Sequence, residues 1–438
     1  MVSEQQRLEE AVDLILQQDP RAVAYPPKWR EDGRVQYFYR RNSILVRTRD
    51  ADRVEVSLRS ILDQAQGDRR DQGNQGDQET DRPRSERSSV VSGVVKFEWS
   101  GNAVGTPGVL DLLDAEYGVG TATPVHGLSL SPNSGHPCPA TDPAVVPSNS
   151  FGPVPPVSDG IRCGTHGWDG DGVVVGVVDG GLIDYAPGMW PWMAGVYGDR
   201  DNPLDGSNMI RPYAGHGTFV AGCVRAVAPR AEVYVRRAEE IAGLIYEDDV
   251  VRAMSDAIDG GADIIVCEFA GYSRLRLPML SFGAFYDDVL RHLDIVVVAP
   301  AGNDTSRLPT YPAAYSWVVG VGALSANGTQ RADFSNHGGW VDLYAPGEDL
   351  VNAFAIGDYN TIHDPKQRRH FDGIASWSGT SFSTPLVAGM IAARMSATGE
   401  DAPQAADVLL RFALSQAIPG VGPALLPHQV CGAVMKDG

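Results

Sequence analysis

Three side chains in this 438-residue chain stand where they could do chemistry together. Asp179 ends the run VVVGVVD, His216 opens HGTFVAGCV with a glycine on each side, and Ser381 lies in SGTSFSTPLVAGM at the head of a long apolar segment. A carboxylate placed directly after a buried strand is costly unless something pairs with it. Flanking glycines let the backbone crowd the imidazole and leave it accessible. A helix N-terminus offers unpaired N–H groups and a positive dipole end, which suits an oxyanion. Taken singly, each residue also has a plainer reading: a turn or N-cap aspartate, a capping or loop histidine, a Ser/Thr-rich N-cap. Taken together, in the order Asp, His, Ser, they are the groups of a base-activated hydroxyl nucleophile.

These side chains need elements to bring them together. Apolar runs at 172–179, 231–238, 262–270, 293–302 and 316–324 alternate with helical patterns at 216–227, 248–260 and 281–292. Near-continuous Val/Ile runs mark strands buried on both faces, and strand–helix alternation predicts a parallel sheet covered on both sides. Ligands of such α/β sheets sit at the carboxyl ends of the strands, where Asp179 stands.

The motifs HGTFVAG and GTSFSTP, in this order after a strand-terminal Asp, resemble those of the subtilisin-like serine protease (subtilase) family. The resemblance covers roughly 158–425, including YPAAYSWVVGVGAL (311–324) and FSNHGGWVDLYAPGEDL (334–350). It implies a subtilisin-like three-layer fold with a mostly parallel central sheet, and a catalytic domain at 161–425. It implies a serine endopeptidase that hydrolyses peptide bonds through an acyl-enzyme, with Asp179, His216 and Ser381 as the triad. Asn303, in AGND after a buried strand, matches the family's oxyanion-hole asparagine; by itself it reads equally as a turn residue. The substrate-binding edge falls on Glu268, Phe269, Ala270 and Gly271. Glu268 departs from the small polar residue usual there, and is read as selecting basic substrate side chains, narrowing the cleft, or being purely structural. Asp-Gly-Gly at 179–181 departs from the usual Asp followed by Ser or Thr. No cofactor is required for the chemistry. The family often carries structural calcium, for which GDRDNPLDG (198–206) is either a candidate loop or solvated surface charge.

Upstream, residues 1–34 read as a helical segment, with apolar positions Leu8, Ala11, Val12, Ile15 and Leu16 at helical spacing. Residues 35–131 read as a small α+β region with strands near 43–46, 90–99 and 127–131, a helix-like segment ending near Leu62 and a short helix at 108–117. The stretch 63–89 has one alanine and no other apolar side chain, so it is expected to be disordered. Residues 131–160 hold eight prolines, and 132–160 is taken as the linker between domains. By family resemblance the 35–131 region is pro-domain-like and the protein a zymogen; a permanent accessory domain is the alternative. Residues 363–373 read as a surface insertion and 426–438 as a C-terminal tail.

Composition narrows the partners. With 36 Lys+Arg against 55 Asp+Glu, the formal charge of −19 argues against nucleic acid. No uncharged apolar run reaches the roughly 18 residues that a membrane span needs. A polypeptide substrate is expected, and a regulatory protein partner fits equally. The acidic N-terminus lacks the basic and apolar regions of a secretory signal, so a cytoplasmic location is expected, with secretion left open. The scattered Cys138, Cys163, Cys223, Cys267 and Cys431 suggest mostly buried, reduced thiols. A catalytically silent subtilase fold, used as a peptide-binding or partner-activated module, is the competing function. The full set of catalytic groups speaks against it and Glu268 speaks for it.

Overall fold

The computed structural model describes residues 4–71, 85–91, 93–101, 104–130, 140–146, 167–238, 243–361 and 367–432. Its larger half is built on a seven-stranded, wholly parallel sheet. From edge to edge the strands are Leu343–Pro346, Val318–Leu324, Val296–Pro300, Ile264–Cys267, Val174–Asp179, Glu232–Arg237 and Val196–Gly198. Five of these are the expected Val/Ile runs.

Alternation along each strand divides the core in two. Val175, Val177, Ile264, Val266 and Val298 face one layer, where the helices His216–Val227 and Thr380–Thr398 pack. Val178, Ile265, Cys267 and Val297 face the other, against Glu247–Asp259 and Leu280–Asp288. This is the three-layer α/β arrangement, and it buries the sheet on both sides.

The smaller half is an antiparallel sheet ordered Ser85–Val91, Val94–Trp99, Tyr37–Arg47, Ala122–Ser129, Leu244–Tyr246, with Ala22–Tyr25 paired to Tyr37–Arg47. The strand Leu244–Tyr246 comes from the larger half, so this sheet runs across the joint. On one face Ile44, Val46 and Phe97 pack on the helices Thr48–Asp71 and Thr106–Tyr117. On the other, Phe38, Leu45, Val94 and Val125 pack on Leu280 and Ala284 of the larger half.

Buried polar pairs fasten the same joint. Lys96 Nζ lies 2.9 Å from Asp248 Oδ2. His126 meets Glu247 Oε1 through its backbone N–H at 3.1 Å and through Nδ1 at 2.7 Å, while Nε2 accepts from Arg274 N–H at 3.0 Å. Glu247 Oε2 accepts from Ser281 N–H at 2.9 Å. Lys96, His126, Glu247 and Asp248 are all buried.

Several local expectations change. The helix expected to end near Leu62 runs to Asp71. Of the stretch expected to be disordered, Ser85–Val91 forms a strand and 72–84 lies outside the described residues. The run 90–99 is a hairpin, not one strand, with Gly93 at φ +75° in its turn. The N-terminal helix, expected to end before Pro20, spans Glu4–Gln18, and within the rest of the 1–34 segment Ala22–Tyr25 is a strand. Of the residues expected as an insertion, those from 368 onward belong to the hairpin Leu350–Asn360 and Arg368–Trp377; 362–366 lies outside the described residues.

In the linker, residues 140–146 are fixed on that hairpin. Ala144 and Ser376 exchange backbone hydrogen bonds of 2.8 and 2.9 Å, and Trp377 Nε1 donates to the Thr141 carbonyl at 2.7 Å. The supposed C-terminal tail packs through Val430, which is fully buried. Cys223 and Cys267 are buried free thiols as expected. Cys431, against expectation, is disulfide-bonded, a pairing that scattered spacing does not reveal. Cys138 and Cys163 lie outside the described residues.

Candidate functional site

The sheet brings the chemistry to one end. Asp179 closes its strand, and Glu268 follows immediately after the neighbouring Ile264–Cys267. The parallel register pairs Cys267 with Val178, so the next residues along, Glu268 and Asp179, stand side by side. Asn303 follows the next strand over, Val296–Pro300. The helix His216–Val227 begins beneath this end, and Thr380–Thr398 begins with Ser381 in its first turn.

Close packing sets the histidine. Gly215 has φ +81°, and a Cβ on it would meet the Phe354 ring at 3.1 Å. A Cβ on Gly217 would come within 2.5 Å of the Gly181 carbonyl and 3.1 Å of Asp179 Oδ1. Only glycine lets the helix start this near the aspartate. The His216 ring then packs on Trp377 and Phe382, with centroids 5.8 and 5.5 Å away.

The polar contacts follow. His216 Nδ1 lies 2.7 Å from Asp179 Oδ2, and Asp179 Oδ1 accepts from Gly180 N–H at 2.5 Å. His216 Nε2 makes no hydrogen bond among the described residues. Asn303 Oδ1 accepts from the N–H and hydroxyl of Thr380 at 2.9 and 3.0 Å, which makes the N–H₂ its donor end. Asp179, His216, Glu268, Asn303 and Ser381 are fully buried.

Glu268 does not face outward. Its carboxyl, an Asp179 oxygen and a His216 nitrogen lie within 4.8 Å of one another. Burial, then the Asp179 charge, push the Glu268 carboxyl well above the usual carboxylate range, and the Ser381 hydroxyl opposes this. Phe269 points into the core. Ala270 offers its backbone: it exchanges hydrogen bonds of 2.9 and 3.0 Å with Ser129, the end of the N-terminal sheet's strand. Gly271 exchanges a similar pair with Tyr311, at 2.9 and 2.8 Å.

One residue escaped the sequence reading. Asp201, inside the loop taken as surface charge or a calcium site, is buried. It accepts from Gly215 N–H at 2.7 Å and pairs with Arg211 at 2.8 Å, so it braces the start of the histidine helix. Burial raises its carboxyl, opposed chiefly by that N–H. No local signal separated it from its neighbours Asp199 and Asp205.

The family model described as "Subtilase family" matches residues 170–420, more than half of the sequence. The chain belongs to the subtilase family. Among curated subtilases, an "Intracellular serine protease" of Paenibacillus polymyxa is 30% identical over 51% of this chain and 66% of its own length. Subtilisin E of Bacillus subtilis (strain 168) is 28% identical over 52% of this chain and 56% of its own. The matches thus span between half and two thirds of these relatives. The crystal structure of fervidolysin from Fervidobacterium pennivorans, described as a keratinolytic enzyme related to subtilisin, superposes with a TM-score of 0.56. It is 17% identical and covers 93% of this chain and 62% of the other, a likeness of fold that extends beyond the family-matched residues.

Proposed function

We propose that this subtilase is a serine endopeptidase, held as a zymogen by its N-terminal region. The observation that carries the reading is the buried Asp179–His216 pair, 2.7 Å apart, at the end of a strand of the sheet that also carries Asn303 past a strand end. Ser381 Oγ attacks the scissile carbonyl while His216 Nε2 takes its proton. Asp179 fixes the imidazole through Nδ1 and stabilises its charged form. The tetrahedral oxyanion is met by the Asn303 amide and the Ser381 backbone N–H. The intermediate collapses as His216 returns the proton to the leaving amine, leaving an acyl-Ser381 ester. Water, deprotonated by His216, then hydrolyses that ester.

A polypeptide substrate would lie as an added strand on Ala270 and on the edge of Leu244–Tyr246. In the intact chain both edges are taken by 127–129, which supports the zymogen reading over a passive accessory domain.

No step needs a cofactor. The loop 198–206 fits calcium poorly: Asp199 is held by Arg236, Asp201 by Arg211, and Asp205 by Ser207 and the Met209 N–H. Among the described residues no helix is long and apolar enough to cross a membrane. The disulfide at Cys431 favours an oxidising compartment over the expected cytoplasm.

The complete burial of the site favours a second reading, a silent or partner-activated peptide-binding module. Treatment of the full-length chain with a fluorophosphonate, with intact masses taken beside Ser381→Ala, separates the two. One adduct, together with loss of an N-terminal fragment and both absent from the variant, is the expected result. No adduct and no processing would move the silent or partner-activated module ahead.

A further inference from the structure

Glu268 has no role in that mechanism, yet it sits inside it. Among the described residues neither of its carboxyl oxygens closes a well-formed hydrogen bond, although the side chain is fully buried and the Ser381 hydroxyl is near enough to act on it. His216 Nε2 lacks one too. Buried polar atoms without partners are uncommon, and these belong to one cluster.

The register forces two carboxyls into one dry site, and two such neighbours cannot both carry charge cheaply. Asp179 receives an N–H donor at one oxygen and the imidazole at the other, so the charge belongs there. The other groups facing Glu268 are His216 and Cys223 from the helix His216–Val227, Cys267 on its own strand, and Ser381 from the helix Thr380–Thr398. Among the described residues none of these is a fixed cation, so none of them offsets a second negative charge.

Resting on the endopeptidase reading, we infer that Glu268 works as a neutral acid, a positioning residue that donates its O–H to Ser381 Oγ and so directs the serine's own proton at His216 Nε2. An ionised Glu268 can only accept. It then competes with His216 for the Ser381 proton, and the nucleophile turns away from its base. Activity is therefore lost as pH rises through the ionisation of Glu268. A neutral acid used as a donor in an apolar site has precedent among enzymes.

The test follows the rate of fluorophosphonate labelling of the full-length chain against pH, with circular dichroism confirming the fold at each point. In the wild type, labelling falls by about tenfold per pH unit beyond the alkaline inflection. Glu268→Gln, which donates but cannot ionise, shows no such fall. Glu268→Leu, which has no donor, loses labelling at every pH.

Profiles of the same shape in wild type and Glu268→Gln would overturn the inference. An independent reading is the infrared band of a protonated carboxyl at neutral pH, present in the wild type and missing from Glu268→Gln. No labelling in any chain, with that band present, would sink the endopeptidase reading while upholding the neutral acid. Absence of the band would sink this inference alone.

Discussion

The two sheets of this molecule solve burial differently. The parallel sheet is covered on both faces by helices of its own half, and its core is complete. The antiparallel sheet covers one face with the helices Thr48–Asp71 and Thr106–Tyr117, while its other face is shared between Leu8 and Val12 of the N-terminal helix Glu4–Gln18 and Leu280 and Ala284 of the larger half. Where the two meet, buried pairs such as Lys96–Asp248 and His126–Glu247 add polar contacts to the apolar ones. Apolar packing tolerates sliding, whereas a buried ion pair with one partner displaced is strongly unfavourable. The smaller half is thus docked in one register or not at all. That exactness brings Ser129 opposite Ala270.

The comparison yields a graded set of outcomes. Ser381→Ala tests the larger half alone: peptidase activity should fall on the order of a millionfold while the melting temperature and the joint are unchanged. Steady-state hydrolysis of a short peptide beside a thermal melt checks both. Lys96→Ala tests the joint: it strands the buried Asp248 and should weaken docking by about 3–5 kcal/mol. Hydrogen exchange should then rise across Ala122–Ser129 and Leu244–Tyr246, with the parallel sheet still protected. Equal loosening of both sheets would collapse the distinction drawn above. Asn303→Ala should lower kcat by about 100- to 1,000-fold, and it should cost about 1–3 kcal/mol of stability because the buried Thr380 donors lose their acceptor.

A pH-dependent effect comes next. Burial, then the Asp179 charge, raise the Glu268 carboxyl of the folded protein well above the range it has in the unfolded chain. Stability therefore falls as pH rises from that range toward the raised value, and Glu268→Gln removes the slope. Chemical denaturation at several pH values reads this directly, and parallel lines for the two proteins would refute it. Arg47→Ala removes a half-exposed pair with Asp287 at the same joint and should cost about 0–1 kcal/mol.

Much of the larger half could be read from the chain because its signals are local. Val/Ile runs declare doubly buried strands, and the helix His216–Val227 begins and ends where its pattern says. Asp179, His216, Ser381 and Asn303 converge because each follows a strand or opens a helix of that sheet. What was illegible depends on distant partners. Ala22–Tyr25 becomes a strand only by pairing with Tyr37–Arg47, and Arg368–Trp377 only by pairing with Leu350–Asn360. Asp201 looks like its acidic neighbours until Gly215 arrives from 14 positions away. For Glu268 the sequence leaves substrate selection, a narrowed cleft and a purely structural role open; the register with Asp179 buries it, and register is not written in either strand alone.

The short stretch 140–146 has a consequence for maturation. It is clasped at four points: Ala144 on Ser376, Thr141 under Trp377, Asp142 under Tyr359, and the Pro143 carbonyl under Arg369. On the other side, Ser129 is woven into the sheet joint. A single cut between residues 130 and 140 would leave both new ends anchored. The nicked protein would then run as two bands on a reducing denaturing gel yet elute as one species of unchanged size from a native column. Severing the chain and discarding the fragment are thus two separate events, and the second would need its own trigger.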